Sequence, residues 1–200
     1  EDPDMFWRLA RAYYDEAEKT PQLGSAQKKA LIDKAMSAIT KALVGGDGNF
    51  AVHKWFGIIL NKHSEFQGTR ATIQNSFIVK EHWLKAVELN ATDATSHALL
   101  GEWAFSVAGL SGLTRSVAAA VLAAPPEASY HDALRSFLAA ENVQPGFWLK
   151  NQLNIAKCYL RLADNHNAAA WLDRLVNTSP ESAEDKEVLA EAAALLRKMR

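Results

Sequence analysis

Small and large apolar residues alternate along this chain with helical rather than strand spacing. Ala133, Phe137 and Ala140, followed by Pro145, recur 35 residues later as Ala168, Leu172, Leu175 and Pro180. Steps of four and three residues place each trio on one helix face. The same order of small, large, small and turn appears in Val79, Trp83, Ala86 and Ala91, and again in Ala35, Ile39, Ala42 and Asp47. These segments read as the second helices of helical hairpins. The small residue lets a neighbouring helix approach, and the proline or its substitute stops the helix before the next unit.

The first helices carry a pattern of their own. Phe6 to Tyr13, His53 to Leu60, His97 to Ala104 and Gln152 to Tyr159 each place a large apolar residue before Ala or Gly. The small residues are Ala10, Gly57, Gly101 and Ala156. Glycine in mid-helix costs about 1 kcal/mol against alanine. Two repeats use it at the same place, which predicts close helix crossings. Internal repeats of this length indicate stacked helical hairpins. The expected fold is therefore all-α, a tetratricopeptide-like superhelix of about four hairpins. The repeats are expected at about 3–48, 49–92, 93–146 and 149–181 of a single domain.

Only the fourth repeat keeps the uninterrupted template. The first has a loop around Thr20 to Ser25, and the second extends its second helix backward through Thr69 to Phe77. The third carries an insertion ending at Pro125-Pro126, with a helix expected from about Leu113 to Ala123. Beyond Pro180, Ser182 and Asp185 form a capping-box variant. Val188, Leu189, Ala192, Leu195, Leu196 and Met199 then make one apolar stripe. This is the expected capping helix, about 183–199, which shields the last unit of a solenoid.

Composition narrows the function. Of 200 residues, 48% are hydrophobic and 22% charged, which fits a globular protein with a sizeable core. The net charge of -1 argues against nucleic acid as a partner, since such binders carry a basic excess. The one cysteine, Cys158, excludes an internal disulfide framework and fits a reducing compartment. It reads as a buried core thiol. The acidic start, Glu1-Asp2-Pro3-Asp4, is no signal peptide. It reads as a helix cap, so anchors or signals are expected outside these residues. The apolar run from Ala104 to Ala124 holds Arg115 at its middle, and so reads as a buried or groove-covering helix rather than a membrane span.

Catalytic and metal chemistry find no support. None of the six histidines pairs at His-x-x-x-His spacing, and His53 and His97 occupy equivalent repeat positions, as packing residues would. Gly45-Gly46-Asp47-Gly48 lacks the Gly-Lys-Ser/Thr ending of a phosphate loop and reads as an inter-repeat turn. Trp55, Trp83, Trp103, Trp148 and Trp171 read as core at repeat spacing. A non-enzymatic binding module is expected, with no cofactor and no metal.

Stacked hairpins present their first helices on a concave face. The template places Trp7, Arg11 and Tyr14 there in the first repeat, and Lys54, Ile58, Asn61 and Lys62 in the second. Ala98, Glu102 and Phe105 follow in the third, then Lys150, Leu153, Lys157, Leu160 and Arg161 in the fourth. Basic groups mixed with aromatic and aliphatic ones suit an acidic extended segment of another protein, or an anionic phospholipid with its acyl chains.

Longer stretches carry a resemblance. Phe6 to Ala12, Ala51 to Phe56, Lys80 to Asn90 and Gln144 to Phe147 are similar to the regulator of microtubule dynamics proteins. The likeness runs from Asp2 to the last helix. It combines His53-Lys54-Trp55, Lys80-Glu81-His82 and Pro125-Pro126, which generic repeats do not share. It departs at Ala91, where relatives carry proline, and in the insertion, where Arg115 alone remains of several basic residues. The resemblance implies association with microtubules and tubulin, and a role in spindle and chromosome behaviour. The cell sites it implies are the cytoplasm, the spindle and the spindle poles. Acidic, disordered tubulin tails match the groove. One branch of the family is anchored at organelle contacts and binds and transfers phospholipid. That implies a second role, with mitochondrial or organelle association supplied by regions outside this chain.

Overall fold

Several helix starts in this chain are set by polar side chains that cap backbone N–H groups. A computed structural model describes residues 2–121 and 127–199, with the backbone alone at 113, 114, 117, 118 and 121. Among the described residues the secondary structure is entirely helical. The helices are α1 Pro3–Lys19, α2 Ser25–Leu43, α3 Phe50–Gln67, α4 Thr69–Leu89 and α5 Ala94–Ala108. They continue as α6 Gly112–Val121, α7 Tyr130–Val143, α8 Leu149–Arg161, α9 Asn165–Val176 and α10 Ala183–Met199. Asp2, Asn49, Asp93, Ser129 and Asp164 each accept from an N–H in the first turn of α1, α3, α5, α7 and α9. Ser182 does the same for α10, accepting from Asp185 N at 3.0 Å, while the Asp185 carboxylate accepts from Ser182 N at 2.9 Å. Such caps contribute about 1 kcal/mol each.

The helices gather into two compact units. The first comprises the described residues of Glu1–Ala91 and Ser111–Pro126. In it α1 packs on α2, α3 on α4, α2 on α3, and α1 also touches α3. Ala35, Ile39 and Ala42 of α2 are fully buried, and so is Ala86 of α4, with Val79 and Trp83 nearly so. These are the positions the repeat pattern assigns to the core. Gly68 alone joins α3 to α4, at φ 97° and ψ 175°, a backbone shape that a side chain strains. The long second helix of the second repeat thus begins at Thr69, as the sequence indicates. α6 packs against α4. The expected end of this insertion helix at Ala123, and the Pro125-Pro126 step, lie outside the described residues.

The second unit comprises Thr92–Leu110 and the described residues of Glu127–Arg200. Here α5 packs on α7, α8 on α9, α7 on α8 and α9 on α10, with α8 also touching α5 and α10. Leu153 and Ala156 of α8, Leu172 and Leu175 of α9, and Val188, Ala192 and Leu196 of α10 form one apolar cluster. Leu189, Leu195 and Met199 pack against it. The expected capping helix therefore exists and buries the stripe read from the sequence.

The turn between α7 and α8 is fastened by a buried carboxylate. Glu141, 7% exposed, accepts from Gly146 N at 2.9 Å and from Gln152 Nε2 at 2.7 Å. Asn151 Nδ2 donates to the Phe137 carbonyl at 3.1 Å and to Glu141 at 3.4 Å. A buried charge needs such donors, because burial without them is costly.

Candidate binding faces

In the first unit the predicted residues collect along α1 and α3. The Trp55 ring takes the edge of Tyr14 at 5.7 Å and the Arg11 guanidinium at 5.3 Å from its centroid. Lys54 lies over the Phe50 ring at 5.1 Å. Lys62 reaches across to Glu18 of α1 at 3.2 Å and to Glu65 of its own helix at 3.3 Å. Burial lowers the Lys62 pKa, but the Glu65 and Glu18 carboxylates outweigh it and leave the group above its ordinary range. Ile58 and Asn61 are half-buried on the same helix. Trp7 stands at the start of α1, where its Nε1 donates to Asp4 Oδ1 at 2.9 Å. Asn49 donates to the same oxygen at 2.7 Å. Hydrogen bonds from Trp7 and then Asn49 hold the Asp4 carboxyl below its usual range.

In the second unit the predicted residues lie along α5 and α8. Lys150 of α8 pairs with Glu102 of α5 at 3.0 Å and sits 5.0 Å over the Trp148 ring. Lys157 pairs with Glu191 of α10 at 2.7 Å. Phe105 meets Tyr130 edge-on at 5.2 Å, and Arg161 lies 5.8 Å from the same ring. Leu160 is half-buried.

Leu153 needs correction as a groove residue. It is 1% exposed and belongs to the cluster with Leu172 and Leu175. Lys150 and Lys157 lie on the more open side of α8, and Leu153 faces the core against Leu172 and Leu175. Ala98 is likewise fully buried. The sequence reading missed Asn151 and Gln152, which bond inward to Glu141. It also assigned Trp55 wholly to the core. Trp55 is half-buried and instead supports Arg11 and Tyr14, whereas Trp83 and Trp103 are buried as expected.

The electrostatics also differ from the expectation of a basic surface. Arg11 is 3.5 Å from Asp15, and Lys62, Lys150 and Lys157 each have a carboxylate partner. Asp15 and Glu65 stand one turn from Arg11 and Lys62 on the same helices, whereas Glu18, Glu102 and Glu191 arrive from neighbouring helices, which sequence position does not reveal.

Three further titratable groups, His53, His82 and Cys158, lie in packed surroundings. His53 and His82 bond through their Nδ1 atoms at 2.9 Å, and His53 Nε2 lies 2.9 Å from the Asp47 carbonyl. Phe56 stacks on His82 at 4.2 Å. Burial, then the charge of His53, lowers the His82 pKa to about 4. Cys158 is fully buried, and burial pushes its thiol up to about 12. Among the described residues, no three His, Cys, Asp or Glu side chains gather as metal ligands. No described helix is long and apolar enough to cross a membrane.

The described chain is thus an all-helical protein of packed helix pairs, with aromatic-supported cations along its first helices. It belongs to the regulator of microtubule dynamics family, since the family described as regulator of microtubule dynamics protein 1-3 matches residues 1–200. The resemblance read from the sequence is borne out. Regulator of microtubule dynamics protein 1 of Homo sapiens is 40% identical over 190 residues, 95% of this chain and 60% of that protein. Its counterpart in Pongo abelii is 39% identical over 196 residues, 98% of this chain and 62% of that protein. Regulator of microtubule dynamics protein 3 of Rattus norvegicus is 37% identical over 198 residues, 98% of this chain and 42% of that protein. The chain therefore spans about three fifths of the protein 1 relatives and about two fifths of the protein 3 relative.

Proposed function

We propose that this chain is a non-enzymatic module that binds microtubules through acidic tubulin segments, and so acts in microtubule dynamics and chromosome segregation on the spindle. The reading assumes tetratricopeptide-type stacking, with first helices forming the receiving face. The observation that supports it most is Arg11 seated over Trp55 beside Tyr14, in a chain whose relatives are named as regulators of microtubule dynamics. A guanidinium held on an indole is pre-positioned and partly desolvated. A tubulin carboxylate replaces Asp15 on Arg11, and further carboxylates engage Lys54 and Lys62. Shielded charge-assisted hydrogen bonds contribute about 1.5–3 kcal/mol each, and exposed ones about 0.2–1. Affinity then comes from several weak contacts and falls with salt.

Co-sedimentation with microtubules tests the reading. Binding is expected to weaken as salt rises, and to weaken by about tenfold in the double variant Arg11→Glu, Lys54→Glu. Removal of the acidic tubulin tails should abolish it. Undiminished binding to tail-less microtubules overturns the proposal.

A further inference from the structure

Among the described residues, α1 leaves open a face that its counterparts α3 and α8 bury. The small crossing residues Ala10, Gly57 and Ala156 align these three helices. In that register Met5, Leu9 and Ala12 match Val52, Phe56 and Ile59 of α3, and Asn151, Ile155 and Cys158 of α8. Val52, Ile59, Asn151, Ile155 and Cys158 are all 0% exposed, and Phe56 is nearly buried. In both cases a preceding second helix lies on the face, α2 on α3 and α7 on α8. Single contacts show the direction. His63 of α3, the match of Glu16, reaches Asp33 of α2 at 3.2 Å, and Asn151 of α8 donates to the Phe137 carbonyl of α7 at 3.1 Å. On α1 the same stripe is open, with Met5 56% and Leu9 39% exposed and Ala12 exposed beside them.

One edge of the stripe is cationic. Phe6 and Tyr13 flank Leu9 on the side towards α2. Lys41 of α2 lies 5.4 Å from the Phe6 centroid and Lys34 lies 5.8 Å from that of Tyr13. Both lysines are exposed, and among the described residues neither has a carboxylate partner. Lys62, Lys150 and Lys157, by contrast, are each paired.

We propose that this stripe docks an acidic amphipathic helix of a partner protein, in the place that α2 takes on α3. The buried counterparts are both covered by helices, so the apolar ridge of Met5, Leu9 and Ala12 suits a helix laid into it. Lys34 and Lys41 stand seven residues apart, about 10 Å along α2. Carboxylates two turns apart on the incoming helix match that separation. The rings hold both ammonium groups against the apolar stripe, where a carboxylate meets them partly shielded from water. Glu16, one turn beyond Ala12, opposes the partner at the Lys34 end. Arg11 lies on the other side of α1, so this interface is separate from the proposed function.

Titration with a synthetic helix tests the face. The probe is a peptide of about 18 residues, long enough to hold a helix, with a leucine stripe and glutamates seven apart along one flank. The methyl resonances of Met5, Met36 and Met199 report where it binds. The peptide should shift Met5 and leave Met199 unmoved. Met5→Ser, Leu9→Ser and the double variant Lys34→Glu, Lys41→Glu should each weaken binding about tenfold, with melting temperatures close to that of the unchanged chain. A peptide with lysine in place of its glutamates should bind the double variant and not the unchanged chain. Glu16→Gln should strengthen binding of the acidic peptide. Equal affinity of the double variant and the unchanged chain overturns the proposal, as does a shift of Met199 without Met5. Equal binding of a shuffled peptide that lacks the leucine stripe also overturns it, because the contact is then charge alone. If Leu9→Ser lowers the melting temperature, Met5→Ser decides the apolar arm. Self-association of the unchanged chain in sedimentation, abolished by Met5→Ser, assigns the stripe to a second copy and rejects the partner helix. Binding of phosphatidylserine vesicles through Met5, without binding of the peptide, rejects it in favour of lipid.

Discussion

Trp83 lays its indole over Gly57 and donates from Nε1 to the Lys54 carbonyl at 3.2 Å. A Cβ at Gly57 would meet the indole, with Cδ1 at only 2.6 Å. Gly101 is in the same position beneath Phe137, whose Cδ1 would lie 2.5 Å from an added Cβ. Alanine at either site gains about 1 kcal/mol of helix propensity, but overpacking a filled crossing costs about 1–3 kcal/mol. Gly57→Ala also displaces the Trp83 hydrogen bond. Both variants should be destabilised in urea unfolding, Gly57→Ala the more. A stabilised Gly57→Ala would mean that the crossing has slack.

Acid sensitivity should trace to His82. In the folded chain its pKa lies near 4, chiefly because burial opposes the charged form and His53 adds to this, while Asp47 acts the other way. In the unfolded chain the group returns to an ordinary value near 6.5. Between those values the unfolded chain takes up a proton that the folded chain refuses. Stability is therefore at its plateau above about pH 6.5 and declines as pH falls towards 4. The lowered carboxyls, such as Asp33 beside Lys29 and Asp132 beside Ser129, lose their contribution only at lower pH. Urea midpoints between about pH 7.5 and 5 should drop for the unchanged chain and drop less for His82→Gln. Parallel curves would remove His82 as the cause.

Cys158 should resist modification while the chain is folded. Its thiol is buried in α8 and its pKa is pushed up to about 12 by that burial, so almost no thiolate exists near neutral pH. Labelling by a disulfide reagent should follow opening of the second unit and accelerate with urea in step with unfolding. Rapid labelling without denaturant would show that the α8 core opens locally.

Intrachain carboxylates should compete with an acidic partner. Glu102 holds Lys150 and Glu191 holds Lys157. Both pairs are partly exposed, and such pairs contribute only about 0.2–1 kcal/mol to stability. Glu102→Gln and Glu191→Gln should therefore leave the melting temperature nearly unchanged and strengthen binding to microtubules a few-fold. Weakened binding in both would show that these carboxylates orient the lysines rather than occupy them.

The helix inventory was legible because its signals are local. Ser182 with Asp185, Gly68 before Thr69, and the stripe from Val188 to Met199 depend on residues within a turn or two of one another. The candidate faces were less legible. Leu153 was assigned to the groove, and helical spacing alone does not say which of two adjacent residues faces the core. That depends on where α9 and α10 pack.

By itself the sequence determined the all-helical class, the small residues at the crossings and the family, because each is written in short-range spacing or in direct likeness. Tertiary structure alone decided that Glu102, Glu191 and Glu18 reach the lysines of other helices, and that Trp55 carries Arg11 and Tyr14. The physical reason is that charge pairing and desolvation depend on distances between helices far apart in the chain, which no local pattern encodes.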